Sequence, residues 1–203
     1  MIAFKGFTKD LTARLGSGTY QFEAGKTYTE ENSKTARSGF HCCENPFNCL
    51  TYYSLDGENR FFMVEAAGSI DEDDGERIAC TEITLIKELS VLEFALEGMK
   101  YMINHPAREK WQQSHRAVKV QSDMAEASEA NHIAIARGEN PRVLGPEGSI
   151  LGIIREQEGF GIIDAKLFVV EAAEADKWLM LGKDRKVMEV QDEETACRDY
   201  ATA

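Results

Sequence analysis

Positive charge is what this chain has least of. Its 23 lysines and arginines face 35 aspartates and glutamates, a formal net charge of −12. Proteins that grip nucleic acid do so with lysine and arginine that displace phosphate counterions, so direct nucleic-acid binding is not expected. An acidic surface favours solubility and basic partners instead, and it can imitate the phosphate charge of DNA. No apolar run approaches the roughly 20 residues that cross a bilayer, so no membrane association is expected. The opening Met1-Ile2-Ala3-Phe4-Lys5-Gly6-Phe7 lacks the apolar core of a secretion signal. The five cysteines are odd in number and clustered rather than laid out as a disulfide framework, which points to a reduced, intracellular protein.

What is present suits one large or two small domains. A chain of 203 residues can bury a real core, and 43% apolar with 29% charged residues is an ordinary globular balance. Residues 2–7 alternate as a strand. Gly16-Ser17-Gly18 reads as a turn, and Tyr20, Phe22 and Tyr28 around Ala24-Gly25-Lys26 read as a hairpin. Residues 39–43 form a short strand, and Asn45-Pro46 starts a helix running through Tyr53 to about Asp56-Gly57. Residues 60–67 are a buried strand, 71–76 a charged turn, and 77–86 an alternating strand. Ser90 caps a helix marked by Leu92, Leu96, Met99 and Ile103 at helical spacing; Pro106 interrupts it before a second helical piece through Trp111.

The fold class expected is therefore α+β, with an α+β domain over 1–115 followed by a β-rich, solenoid-like region over 116–190 and an acidic tail over 191–203. The solenoid reading rests on small polar turns that precede apolar pairs every 7–10 residues: Asn131-His132, Asn140-Pro141 and Gly148-Ser149. Strands over 161–170, 177–181 and 186–190 follow, the last two joined at Gly182-Lys183-Asp184.

Candidate chemistry concentrates in residues 39–53. His41, Cys42, Cys43 and Cys49 carry zinc's preferred donors, but neighbours on a strand point to opposite faces and no second Cys-x-x-Cys half-site exists, so no metal site is expected. His41 and Cys43 share a face, as a catalytic pair would, without an identifiable third residue to orient them. Asp71 to Glu76 lacks the spacing of a calcium loop, and Gly16-Ser17-Gly18 is too short to cradle a phosphate.

Two resemblances bear on function. Phe4-Lys5-Gly6-Phe7, Phe22 through Tyr28, the Gly39-Phe40-His41-Cys42-Cys43-Glu44-Asn45-Pro46 motif and Tyr52-Tyr53 resemble an uncharacterised family encoded mostly by phages, prophages and gut bacteria. Its members usually carry a small residue where Cys42 stands. The motif residues are thus Gly39, Phe40, His41, Cys43, Glu44, Asn45 and Pro46. The order of the first strands is also similar to ADP-ribosyltransferase-like folds. That likeness implies Lys5 or His41 holding NAD, Tyr52 or Tyr53 stacking on nicotinamide, and Glu82 stabilising the oxocarbenium-like state; the first strand lacks the arginine or histidine of such enzymes.

The function expected is that of a phage or mobile-element accessory protein working by protein–protein interaction, either as a host-defence antagonist or as a virion-associated component. It would have a host or virion protein partner, a host-cytoplasm or virion location, homo-oligomerisation and no cofactor. The alternative is the NAD-using, ADP-ribosyltransferase-like enzyme.

Overall fold

The computed structural model describes residues 1–15, 18–73, 76–107 and 109–190. Gly16 and Ser17 of the expected turn, Asp74 and Gly75 of the charged turn, and the tail 191–203 lie outside the described residues. Among the described residues there are fourteen strands, one 3-10 helix and one α-helix, so the protein is mostly β and not α+β. The chain divides into two compact units after Ala107.

The first unit contains β1 (Ile2–Thr8), β2 (Thr12–Leu15), β3 (Gly18–Gln21), β4 (Thr27–Thr29), β5 (Phe40–Cys42), a 3-10 helix (Pro46–Thr51), β6 (Asn59–Asp73), β7 (Arg77–Leu89) and α1 (Val91–Asn104). Its main sheet is antiparallel in the order β1-β6-β7-β4, with β5 also on β7. Phe4 and Cys43 exchange both backbone hydrogen bonds, at 2.7 and 2.8 Å. The chain leaving β5 is thereby tied back to β1, and the path β1-β6-β7-β5 closes on itself. Closure satisfies strand edges that would otherwise stay open. Ala3, Phe7, Phe40, Phe62, Val64 and Leu85 fill the enclosed core.

Several local expectations change. β6 and β7 continue through the acidic segment, because Asp71, Glu72 and Asp73 pair with Ala79, Ile78 and Arg77. Tyr20, Phe22 and Tyr28 are not a hairpin: β3 pairs with β2 and β4 with β7. They converge with Phe40 instead, at ring separations from 4.8 to 6.4 Å, a cluster held by edge-on aromatic contact. Asn45 does cap a helix, its side chain accepting from the Phe47 N–H, but the helix is a single 3-10 segment ending at Thr51.

α1 opens on a capping box. Ser90 accepts from the Glu93 N–H at 3.3 Å, and Glu93 accepts from the Ser90 N–H at 2.9 Å. Its buried face is Phe94, Ala95, Gly98, Met99, Tyr101 and Met102. Of the four residues that marked this helix in the sequence, only Met99 is on that face; Leu92, Leu96 and Ile103 are exposed. The helix ends at Asn104, and no second helical piece forms over the described residues up to Trp111.

The second unit holds β8 (Gln113–Ser114), β9 (Val118–Glu126), β10 (Ile133–Leu144), β11 (Ile150–Gln157), β12 (Gly161–Val169), β13 (Leu179–Leu181) and β14 (Val187–Glu189) in one seven-stranded sheet. The solenoid-like reading is corrected here. Asn131-His132 and Gly148-Ser149 do precede strands, but β9, β10 and β11 lie side by side as parallel neighbours within that sheet, Ile133 meeting Val118 and Ile150. β12 and β13 flank them antiparallel. Asn140-Pro141 is no strand break: it sits inside β10, at the register shift between Arg137 and Arg142, where a proline is tolerated. β13 and β14 form a hairpin, with the Gly182 N–H donating to the Lys186 carbonyl at 2.9 Å. Among the described residues no helix is long and apolar enough to cross a membrane.

Candidate functional site

The Gly39–Pro46 motif assembles around Lys5. β1 carries Lys5 on the same side as Ala3 and Phe7, into the core, where the residue is only 9% exposed. Its Nζ donates to the His41 carbonyl at 2.6 Å and lies 5.5 and 5.9 Å from the ring centres of Phe7 and Phe22. Burial lowers the pKa of this amine, partly offset by the Cys42, Cys49, Cys43 and Cys80 thiols around it.

Each motif residue has a structural task. Gly39 has φ +81°, and a Cβ there would sit 2.8 Å from the Cys80 carbonyl, so the turn into β5 admits only glycine. Phe40 enters the aromatic cluster. His41 Nε2 accepts from the Ala36 N–H at 3.0 Å, which requires a neutral ring on that nitrogen. Burial lowers the His41 pKa, and the nearby charges of Lys5 and Arg77 lower it further. The same loop is held from its other side by Asp71, which accepts from the Thr35 N–H at 2.7 Å, from the Thr35 hydroxyl and from Lys34 at 2.9 Å. Those bonds keep the Asp71 carboxyl well below the usual range.

Cys43 makes the backbone link to Phe4. Glu44 approaches His105 at 3.8 Å, joining the motif to the end of α1. Asn45 and Pro46 start the 3-10 helix, which delivers Phe47 and Tyr53 to two glycine sockets. A Cβ at Gly98 would overlap the Phe47 ring, and a Cβ at Gly6 would overlap the Tyr53 ring. Phe47 also meets Phe94 edge-on at 5.5 Å. The motif is a clasp between the sheet and α1.

Of the residues assigned to an NAD site, Lys5 is turned into the core and bound to the His41 carbonyl, and His41 is bound to Ala36. Tyr53 packs on Gly6, Tyr52 is 55% exposed, and Glu82 is half-buried on β7 between backbone partners Thr29 and Ala67. Among the described residues no group of three or more histidine, cysteine, aspartate or glutamate side chains is placed to hold a metal ion.

A partly exposed apolar rim runs along α1 beside its buried face. Leu92, Leu96 and Ile103 are 42%, 40% and 39% exposed. Glu93 and Glu97 lie beside them, and Glu97 accepts from Lys100 at 2.7 Å. In the second unit the buried charged residues Arg137 and Asp164 are both paired. Asp164 accepts from Arg155 at 3.3 Å and from Arg185 at 2.9 Å, and Arg137 pairs with Glu156 at 2.6 Å while stacking over Trp111. These bonds fasten β10, β11, β12 and the β13–β14 turn to one another.

No curated protein and no solved structure matches the chain. Residues 1–97, from β1 into α1, match the model of an uncharacterised family described as a domain of unknown function (DUF7666).

Proposed function

We propose that the chain is a binding protein, an accessory factor of a phage or mobile element that acts by holding another protein. The observation that carries this reading is the exposed apolar stripe of α1. A helix buries one apolar side when it needs only its own core, and α1 already buries Phe94, Ala95, Gly98, Met99 and Met102. Leu92, Leu96 and Ile103 continue that buried side to its rim, where about two-fifths of each stays in contact with solvent, and grouped exposed apolar residues with a charged border are the usual mark of an interaction surface. The border is acidic here, in a chain of net charge −12. The partner segment that fits is therefore apolar with basic flanks, laid along the helix. A host-defence component and a virion protein both remain targets of this description.

The NAD-using reading needs Lys5 or His41 free to hold the cofactor, and both are already bonded inside the first unit.

The test is affinity capture of the tagged full-length chain from host lysate, infected and uninfected, followed by titration of the purified partner against the chain. One protein recovered at near-equimolar yield and bound directly supports the reading. Consumption of NAD by the purified chain, abolished by Glu82→Gln, would overturn it.

A further inference from the structure

The four cysteines described lie in the first unit as two pairs around Lys5, and binding through α1 uses neither. Cys42 ends β5 opposite Ile78, while Cys80 lies on β7 opposite Phe40. The two thiols are thus diagonal neighbours across an antiparallel pair, and both belong to the same buried core. They are hydrogen-bonded to one another, and the Cys80 thiol donates onward to the Phe40 carbonyl at 3.5 Å. Cys43 and Cys49 form the second hydrogen-bonded pair, beyond the Phe4 link.

The members of the first pair differ. The hydrogen bond with Cys80, together with burial, raises the Cys42 pKa well above the ordinary thiol value. The same bond lowers that of Cys80. The two sulfurs are thus shifted in opposite directions, and the Lys5 amine close by favours negative charge on Cys80 when it carries its proton.

We propose that Cys42 and Cys80 are a peroxide-reactive dithiol, with Cys80 as the attacking sulfur and Cys42 as the resolving one. The Cys80 thiolate takes the terminal oxygen of a hydroperoxide; the O–O bond breaks, the alcohol or water leaves with a proton, and Cys80 becomes a sulfenic acid. The Cys42 sulfur then attacks the Cys80 sulfur, the S–O bond breaks, and hydroxide departs with the Cys42 proton as water. Two thiols and one hydroperoxide yield one disulfide, one alcohol or water, and one further water. Both sulfurs are buried, so the oxidant must be small and must enter when β5 opens. β5 is three residues long and holds β7 through three register positions, so its opening breaks a short stretch of ladder.

The experiment treats the reduced full-length chain with hydrogen peroxide, then denatures it, alkylates it and reads intact mass and linked peptides. The expected result is the loss of two alkylatable thiols with Cys42 linked to Cys80. In Cys42→Ser the expected result is sulfenic acid trapped by dimedone at Cys80, a readout that a purely packing role would not produce. Full retention of free thiols in the folded wild-type chain, a Cys43–Cys49 link without the Cys42–Cys80 link, or oxidation confined to Cys197 would each overturn the proposal.

Discussion

Lys5 donates to the main-chain carbonyl of His41 at 2.6 Å across 36 positions of sequence. That bond joins β1 to β5 inside the closed sheet, one residue from the place where Phe4 and Cys43 make the same junction through the backbone. A buried amine is costly unless its hydrogen bonds are met, so the bond has to be matched by the packing of Phe7 and Phe22 around it. Lys5→Ala removes the amine, leaves the His41 carbonyl without this donor and opens a cavity. The expected loss is about 2–4 kcal/mol, a range typical of truncating a long buried side chain. Denaturant unfolding of the full chain, followed through the first unit, measures it. A change below about 0.5 kcal/mol, as at an ordinary surface position, would show that Lys5 does not hold the junction.

Gly98 offers a prediction whose sign separates two effects. Replacing a mid-helix glycine by alanine ordinarily stabilises by about 1 kcal/mol. Here the new methyl would overlap the Phe47 ring, and overpacking a filled site costs about 1–3 kcal/mol. Gly98→Ala is therefore expected to destabilise. A rise in melting temperature would mean that the socket is not filled as described.

His41 sets a pH dependence. Its folded pKa is lowered below the ordinary histidine value of 6.5, first by burial. Below 6.5 the unfolded chain therefore binds more protons than the folded one, and stability falls as pH falls through that region. It is fully present above 6.5. His41→Gln should flatten the slope of stability against pH in this window. His115 in the second unit is lowered by burial as well, so His115→Gln serves as the control that leaves the first unit's slope in place.

Glu93 acts at a lower pH. The hydrogen bond from Lys87, and then those from Ser90, depress its carboxyl from 4.5 to about 2. A depressed acid contributes stability above its unfolded pKa and loses it as pH falls from about 4.5 to about 2. Circular dichroism of Glu93→Gln should show a smaller acid-induced loss of α1 across that interval than the wild type. Ser90→Ala should cost about 1 kcal/mol, as loss of a cap does.

Local signals in the sequence were legible where the structure that answers them is local. The Ser90 cap, the Asn45-Pro46 helix start, the β1 strand and the turn at Gly182 all appear where residue chemistry places them. What escaped was set at a distance. β6 and β7 extend through Asp71–Asp73 because each acidic residue finds a partner across the hairpin, which no window of sequence displays. Tyr20 and Tyr28 looked like one hairpin but belong to different pairings that meet on Phe40. α1 has one broad apolar arc, and only the positions of Phe47 and Phe61 decide that its Phe94 side turns inward while the edge with Leu96 stays open. The turns near 131 and 148 were recognisable as strand starts, while the neighbours those strands would choose were not. Within the motif, Gly39 and Pro46 declared their roles through backbone chemistry alone. The Cys42–Cys80 neighbourhood did not, because β5 and β7 come together only through the register of the sheet.

The central claim, that α1 is the recognition surface and the motif its support, is tested most directly by one paired measurement. The partner recovered by affinity capture is titrated against the wild-type chain and against a Leu92→Glu/Leu96→Glu variant, with the melting temperature of both recorded. The account predicts that the variant keeps its melting temperature, since neither leucine belongs to the core, and loses the partner. Equal affinity of a folded variant for the same partner would contradict it and move recognition to another face of the protein.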